Sequence, residues 1–197
     1  MVHATYQFSH SLGKRQRMRE AGLWSRDPQE YYTRGNFLSF DPTPPHQLAA
    51  DVSSGLIARH MRVAAWYRLS VRNALALARV LDRTLIVPPF LCYCDRWWGN
   101  VLPTCLIPGS DQTLPFQCPM DHLFFLPNWD TRVQWREHSF LSNPRVPDAV
   151  RNSRYALRQT WSSWGYGASG LTPAPILCQS DGAGGAGDPG ARGGGVV

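Results

Sequence analysis

Asp121 and His122 stand side by side in the segment FQCPMDH, just ahead of the apolar residues 123–126. A carboxylate next to an imidazole orients a hydroxyl or moves a proton. The same two residues also serve as an aspartate that caps a turn with a half-buried histidine after it, and their types alone leave both readings open. A second pair, Asp95 and Arg96, sits in the aromatic stretch FLCYCDRWW. That stretch follows an expected strand, and ligands of open α/β sheets bind beyond the carboxyl ends of strands, so the pair is a candidate ligand contact. The surrounding rings either pack as a rim at the strand end or stack on a flat ligand. A third pair, Arg136 and Glu137 in REHSFLSNP, reads as an ion pair, worth about 0–1 kcal/mol if exposed.

The positive charge is almost all guanidinium: of twenty basic residues, only Lys14 is a lysine, and the net charge is +6. Guanidinium forks grip phosphate or carboxylate at two points, which keeps a phosphate-bearing ligand open. Nucleic-acid binding would rest on the arginine content alone, and a solvated basic face accounts for the charge. Lys14, Arg15, Arg17 and Arg19 crowd the start of an expected helix over residues 11–22, where cations oppose the helix dipole unless an anion lies nearby. The five cysteines contain no C-x-x-C, and Cys92-x-Cys94 is too tight for usual zinc spacing. One or two disulfides in an oxidising lumen, or reduced core thiols, both fit.

The element that must position these groups is the stretch 55–89. From Leu56 to Leu81 the side chains Ile57, Met61, Ala64, Ala65, Leu69, Ala76, Val80 and Leu81 recur at three- and four-residue steps, predicting an amphipathic helix with these residues inward and a basic opposite side. Ser53 or Ser54 is the expected N-cap. Residues 84–87, TLIV, then form a short apolar run stopped by Pro88-Pro89, the pattern of a strand buried on both faces in a parallel sheet.

Elsewhere, residues 2–9 alternate like a strand, Tyr31 and Tyr32 read as buried phenols with hydrogen-bonded hydroxyls, and residues 35–45 read as a connector. Residues 123–126 are an expected strand. Residues 147–161 are expected to be helical, with Val150, Tyr155 and Leu157 inward. Residues 1–165 thus make one α/β domain, and the Gly-rich residues 166–197 a disordered tail. No run approaches the roughly 20 apolar residues that span a bilayer, and the start shows no signal-peptide pattern.

Several blocks taken in order resemble one family: TYQFS (5–9), Gly13-Lys14, Arg19-Glu20, Asp27-Pro28, Glu30-Tyr31-Tyr32, Leu38-Ser39-Phe40, His60, residues 72–89, Phe116, Cys118-Pro119, Asp121-His122, Arg136-Glu137, Ser139-Phe140-Leu141 and Asn143-Pro144. They resemble the carboxyl-terminal half of plant and green-algal arabinosyltransferases of glycosyltransferase family 77. The resemblance implies a Golgi-lumenal, membrane-anchored enzyme that uses a UDP-sugar donor, UDP-β-L-arabinofuranose in one branch, on hydroxyproline-rich wall glycoproteins. It also implies Mn²⁺ held by an Asp-x-Asp motif against the leaving diphosphate.

No Asp-x-Asp occurs among the fourteen acidic residues. In the family that motif and the membrane anchor lie upstream of the matched region. The expectation is therefore a Rossmann-like partial parallel sheet with flanking helices, part of a larger glycosyltransferase, holding no metal itself and inactive alone. On this resemblance Asp121 and His122 are the candidates for proton handling, and Arg72, Arg96, Arg136 and Glu137 for diphosphate or acceptor contacts. Residues 72–89 are also similar to the helix and strand of protein O-fucosyltransferases, where arginines, by analogy Arg72 or Arg62, meet the donor diphosphate of GDP-fucose. A non-catalytic glycan- or partner-binding module, with residues 93–98 as a stacking platform, is the alternative.

Overall fold

The computed structural model describes residues 7–95, 104–129, 132–153, 155–157 and 176–179. In chain order the elements are α1 (His10–Glu20), α2 (Glu30–Thr33), β1 (Phe37–Phe40), α3 (His46–Ala50), α4 (Leu56–Val80), β2 (Thr84–Ile86), β3 (Phe90–Cys92), β4 (Phe116–Cys118), β5 (Trp135–Arg136), α5 (Asp148–Asn152), β6 (Tyr155–Leu157) and β7 (Ile176–Gln179). Three short 3₁₀ turns, Met120–His122, Leu126–Asn128 and Phe140–Ser142, complete them.

The main sheet runs β5-β2-β1-β7-β6. Its first three strands are parallel, with Leu38 opposite Leu85 and Leu85 opposite Trp135, while β7 and β6 join antiparallel. β1, α4 and β2 form a βαβ unit, so the expected Rossmann-like partial parallel sheet with flanking helices is present.

Alternation along the strands divides the core in two. Leu38, Phe40 and Leu85 face α4, packing with Val63, Tyr67, Val71, Ala74 and Ala78. Phe37 and Ile86 face the other way, onto Tyr32, Phe140 and Val146. This explains the unbroken apolar run of β2: successive side chains enter different cores, and neither can be polar.

Several expectations require correction. The strand β1 lies inside the segment read as a connector; its four residues are too few for a clear period, and its place beside β2 is a tertiary decision. α4 has the expected length but turns a different side inward. His60, Val63, Ala64, Trp66, Tyr67, Val71, Ala74 and Ala78 are buried, whereas Ile57, Met61, Leu69 and Val80 are exposed. The helix carries apolar residues around most of its circumference, and the large rings decide which side fills the core. Its N-cap is Gly55 at φ 86°, with no side-chain cap, rather than a serine.

Residues 7–9 lead into α1 rather than forming a strand, and the rest of that expected strand lies outside the described residues. The run 123–126 is turn and 3₁₀ helix. The helix expected over 147–161 stops at Asn152, and β6 begins at Tyr155, which is exposed while Val150 packs on the second core. Of the expected tail, β7 is described by its backbone as a strand beside β1, and the other residues lie outside the described set.

Four of the five cysteines are oxidised in two pairs, Cys92–Cys118 and Cys94–Cys105. The first ties β3 to β4, which pair antiparallel with Phe90 opposite Cys118. The second fastens the chain after β3 to the following loop, where Asp95 N–H donates to the Cys105 carbonyl.

Candidate functional site

The blocks of charged and aromatic residues, far apart in sequence, gather into two adjoining clusters around α1. The first forms where β3 and β4, linked by their disulfide, deliver Asp95 and the Met120–His122 turn to α1. The Asp121 side chain is fully enclosed. It accepts from Arg17 Nε at 3.0 and 3.3 Å and from Phe8 N–H at 3.2 Å. A Cβ on Gly13 would lie 2.8 Å from Asp121 Oδ2, so glycine lets α1 approach this carboxylate. His122 Nε2 is 3.7 Å from Asp95 Oδ1, and its ring meets Phe8 and Phe116 edge-on. Burial raises the Asp95 carboxyl above its ordinary range, against the pull of Arg17.

Glu20 completes this cluster, and nothing in the local sequence assigned it a role. Its Oε1 accepts from Met120 N–H at 3.2 Å and from Gln16 Nε2 at 3.0 Å. Burial first, and repulsion from Asp121, hold its pKa up at about 7 against the ordinary 4.5, although these hydrogen bonds pull the other way. Between those two values the folded chain keeps a proton that the unfolded chain has lost, so stability falls as pH rises through this window, by on the order of 3 kcal/mol in all. Glu20→Gln is expected to remove that decline. Urea unfolding of both proteins at pH 5 and pH 8 checks it: the variant gains on the native chain at pH 8 and not at pH 5.

The second cluster lies at the carboxyl end of β5. Tyr31 O–H donates to Glu137 Oε2 at 2.5 Å, and Glu137 is only 2% exposed. The Tyr31 ring lies under two guanidiniums, Arg136 at 4.0 Å and Arg19 at 4.5 Å from its centre. Arg136 donates from Nε to the Tyr31 carbonyl and from Nη1 to the Trp135 carbonyl, and burial lowers its pKa. Arg19 pairs with Asp27, Ser139 Oγ donates to the Arg19 carbonyl, and Arg145 covers Tyr32 at 4.3 Å. Burial and the neighbouring Glu137 charge push the Tyr31 phenol up, so it stays a donor. Tyr31→Phe leaves a buried carboxylate oxygen short of its partner and is expected to cost about 1–3 kcal/mol, read as a lower urea midpoint.

Of the residues singled out from sequence, Asp121 and His122 fall in the first cluster, and Arg136 and Glu137 in the second. Glu137 is spent on Tyr31, and Asp121 on Arg17. Arg72 is exposed on α4, its Nη2 3.4 Å from Asn73 Oδ1, and Arg62 pairs with Asp51. Arg96, with Trp97 and Trp98, lies outside the described residues. Tyr93, the first ring of the suggested stacking platform, is buried, with Arg59 4.1 Å above its centre. Arg19, Asp27 and Tyr31 belong to the resemblance blocks and Arg17 lies between two of them, but partners such as Asp121 for Arg17 and Glu137 for Tyr31 stand more than a hundred residues away.

The two clusters place a His–Asp pair, a near-neutral carboxyl group and anchored guanidiniums beside the carboxyl end of a parallel strand, where α/β sheets bind ligands. Arabinosyltransferase XEG113 of Arabidopsis thaliana is 38% identical to this chain over 162 residues, 77% of the chain. The chain is an arabinosyltransferase-like protein. It spans about a quarter (24%) of the length of that curated relative. No protein-family model matches the arabinosyltransferase-like chain, and no solved structure does.

The described residues of this arabinosyltransferase-like chain offer no donor set that fits a divalent cation. Among the described residues no three His, Cys, Asp or Glu side chains come together as a metal would need. In the first cluster Asp121 and Glu20 are taken by Arg17, Gln16 and backbone N–H groups, and Asp95 faces His122.

Proposed function

We propose that the chain is a substrate-contacting domain of a Golgi-lumenal arabinosyltransferase, acting with a UDP-sugar donor, UDP-β-L-arabinofuranose, on hydroxyproline-rich wall glycoproteins. The observation that carries the proposal is the 38% identity to a plant arabinosyltransferase over most of this chain. The convergence of the motif residues at one end of the parallel sheet supports it, and two disulfides suit a lumenal compartment.

In this reading Arg136 is the positioned cation for a diphosphate or acceptor oxygen at the end of β5. Glu137 holds Tyr31 beneath it. His122, set beside Asp95, accepts a proton from an attacking hydroxyl, and Asp121 keeps the turn that carries His122 closed on α1. With no fitting donor set in the described residues, a metal-bound diphosphate centre belongs to another part of the enzyme.

The test is calorimetric titration of the chain with UDP-arabinofuranose, UDP and GDP. The expected result is saturable binding of the uridine compounds, weakened about tenfold or more by Arg136→Ala, since a charge-assisted contact contributes roughly 1.5–3 kcal/mol. Failure of both uridine compounds to bind, or preference for GDP, would contradict the assignment.

A further inference from the structure

α4 spends one face on the core and leaves another that its position in the domain does not explain. Ile57, Met61 and Leu69 are each 40% or more exposed and Val80 is 81% exposed. With Ala65 and Ala76, also exposed, they make a row at four-residue steps, broken once, along the outward side. Arg68, Arg72 and Arg79 border the row and are exposed. The 25-residue helix has five arginines and no acidic residue, while the whole chain carries only +6. Most of the net charge is thus gathered on one helix.

At its carboxyl end the row meets a cleft of about 500 Å³ lined by Leu75, Ala76, Arg79, Arg83, Arg132 and Val133, with Asp82 as the one acidic residue among its described lining. The cleft lies at the amino ends of β2 and β5, the opposite edge of the sheet from the clusters described above.

We propose that this face of α4 is a docking site for an acidic amphipathic helix of a partner protein. Apolar side chains of the partner, spaced by three and four residues, would lie along the Ile57–Met61–Leu69 row, flanking carboxylates would meet Arg68, Arg72 and Arg79, and a terminal side chain would enter the cleft. About 37 Å of helix is offered, enough for five turns of a partner.

The charge pattern selects this occupant. A second copy is disfavoured at this face because its Arg68, Arg72 and Arg79 would meet the same three exposed arginines with no acidic residue on either helix. The chain's own fourteen carboxylates are scattered singly or in pairs, never gathered in an apolar-periodic run. An anionic bilayer would answer the charge and the apolar row, but it would leave the cleft at the end of the row without an occupant.

The experiment titrates the whole chain into a fluorescein-labelled synthetic peptide of about 21 residues, with Leu and Ile at three- and four-residue steps and Glu between them, and into a scrambled peptide of the same composition. Fluorescence anisotropy is expected to show saturable binding of the periodic peptide, at least about tenfold tighter than the scrambled one. Met61→Ser with Leu69→Ser, and Arg68→Glu with Arg79→Glu, are each expected to weaken it about tenfold while leaving the far-ultraviolet spectrum unchanged. Equal binding of the two peptides, or no effect of either double variant, would overturn the proposal. So would co-sedimentation with phosphatidylserine vesicles by a chain that ignores the periodic peptide.

Discussion

Asp121→Ala is expected to cost the fold about 3–5 kcal/mol, because truncating one member of a buried pair strands the other. The Asp121 side chain is wholly enclosed, and it holds Arg17 Nε and the Phe8 N–H at once. Without it Arg17, 25% exposed, loses its hydrogen-bonded partner and is left with Glu20, which at neutral pH is only half ionised, and Asp95, which is turned toward His122. The Met120–His122 turn would also lose its tie to α1. Asp121→Asn keeps an acceptor oxygen and should cost less than half as much. Urea unfolding of the two variants separates charge from shape: equal losses, or a loss below about 1 kcal/mol for alanine, would show that the ion pair does not hold these elements together.

The second large effect is expected from the disulfides. Cys92–Cys118 and Cys94–Cys105 close loops with sequence separations of 26 and 11. By loop-closure entropy each limits the unfolded chain by about 3 kcal/mol. Replacing both pairs with serine is therefore expected to lower stability by about 6 kcal/mol, which is comparable with the whole stability of an ordinary domain. The Cys92–Cys118 pair should matter more for the site, since it fixes the strands that deliver Asp95 and His122 to one another. Thermal unfolding of the oxidised chain, of each paired Cys→Ser variant and of the double replacement measures this. A Tm unchanged by reduction would contradict it.

The disulfide pairing, unlike the presence of cysteines, was not legible from spacing. Cys92 and Cys94 are neighbours on one strand end, and which partner each takes depends on the β3–β4 register. The same division runs through the fold. Residues 84–87 announced a strand buried on both sides because both neighbouring cores are apolar. β1, equally buried, was hidden by its four-residue length between Gly35 and a proline-rich turn. For α4, period and length were plain, but a helix with apolar residues nearly all round does not say which side a sheet will take. The residues that resolved it, His60, Trp66 and Tyr67, are large or polar-tipped: His60 Nδ1 accepts from Tyr93 N–H, and the Tyr67 hydroxyl oxygen accepts from Leu91 N–H, so His60 and Tyr67 are buried with these polar atoms satisfied.

The candidate site was legible as residue types and not as a constellation. Asp121-His122 and Arg136-Glu137 stood out in the chain, yet the groups that decide their behaviour come from α1, α2 and the end of β3. No periodicity links Arg17 to Asp121, Tyr31 to Glu137 or Asp95 to His122. Glu20 stood in the sequence only as part of the block Arg19-Glu20, and its partners, Met120 N–H and Gln16, are given by the fold. Such pairings follow from chain topology, and only the ordered series of blocks hinted that these residues meet.

The most direct measurement is transfer by a chimera in which this chain replaces the matching segment of the Arabidopsis relative, assayed for arabinose incorporation into a hydroxyproline-rich peptide. A folded chimera is expected to retain transfer, and to lose about 100-fold or more of it with His122→Ala, the scale of a missing proton-transfer group. A folded, secreted chimera that binds the relative's substrates but transfers nothing, or that ignores the His122 change, would contradict the proposed role.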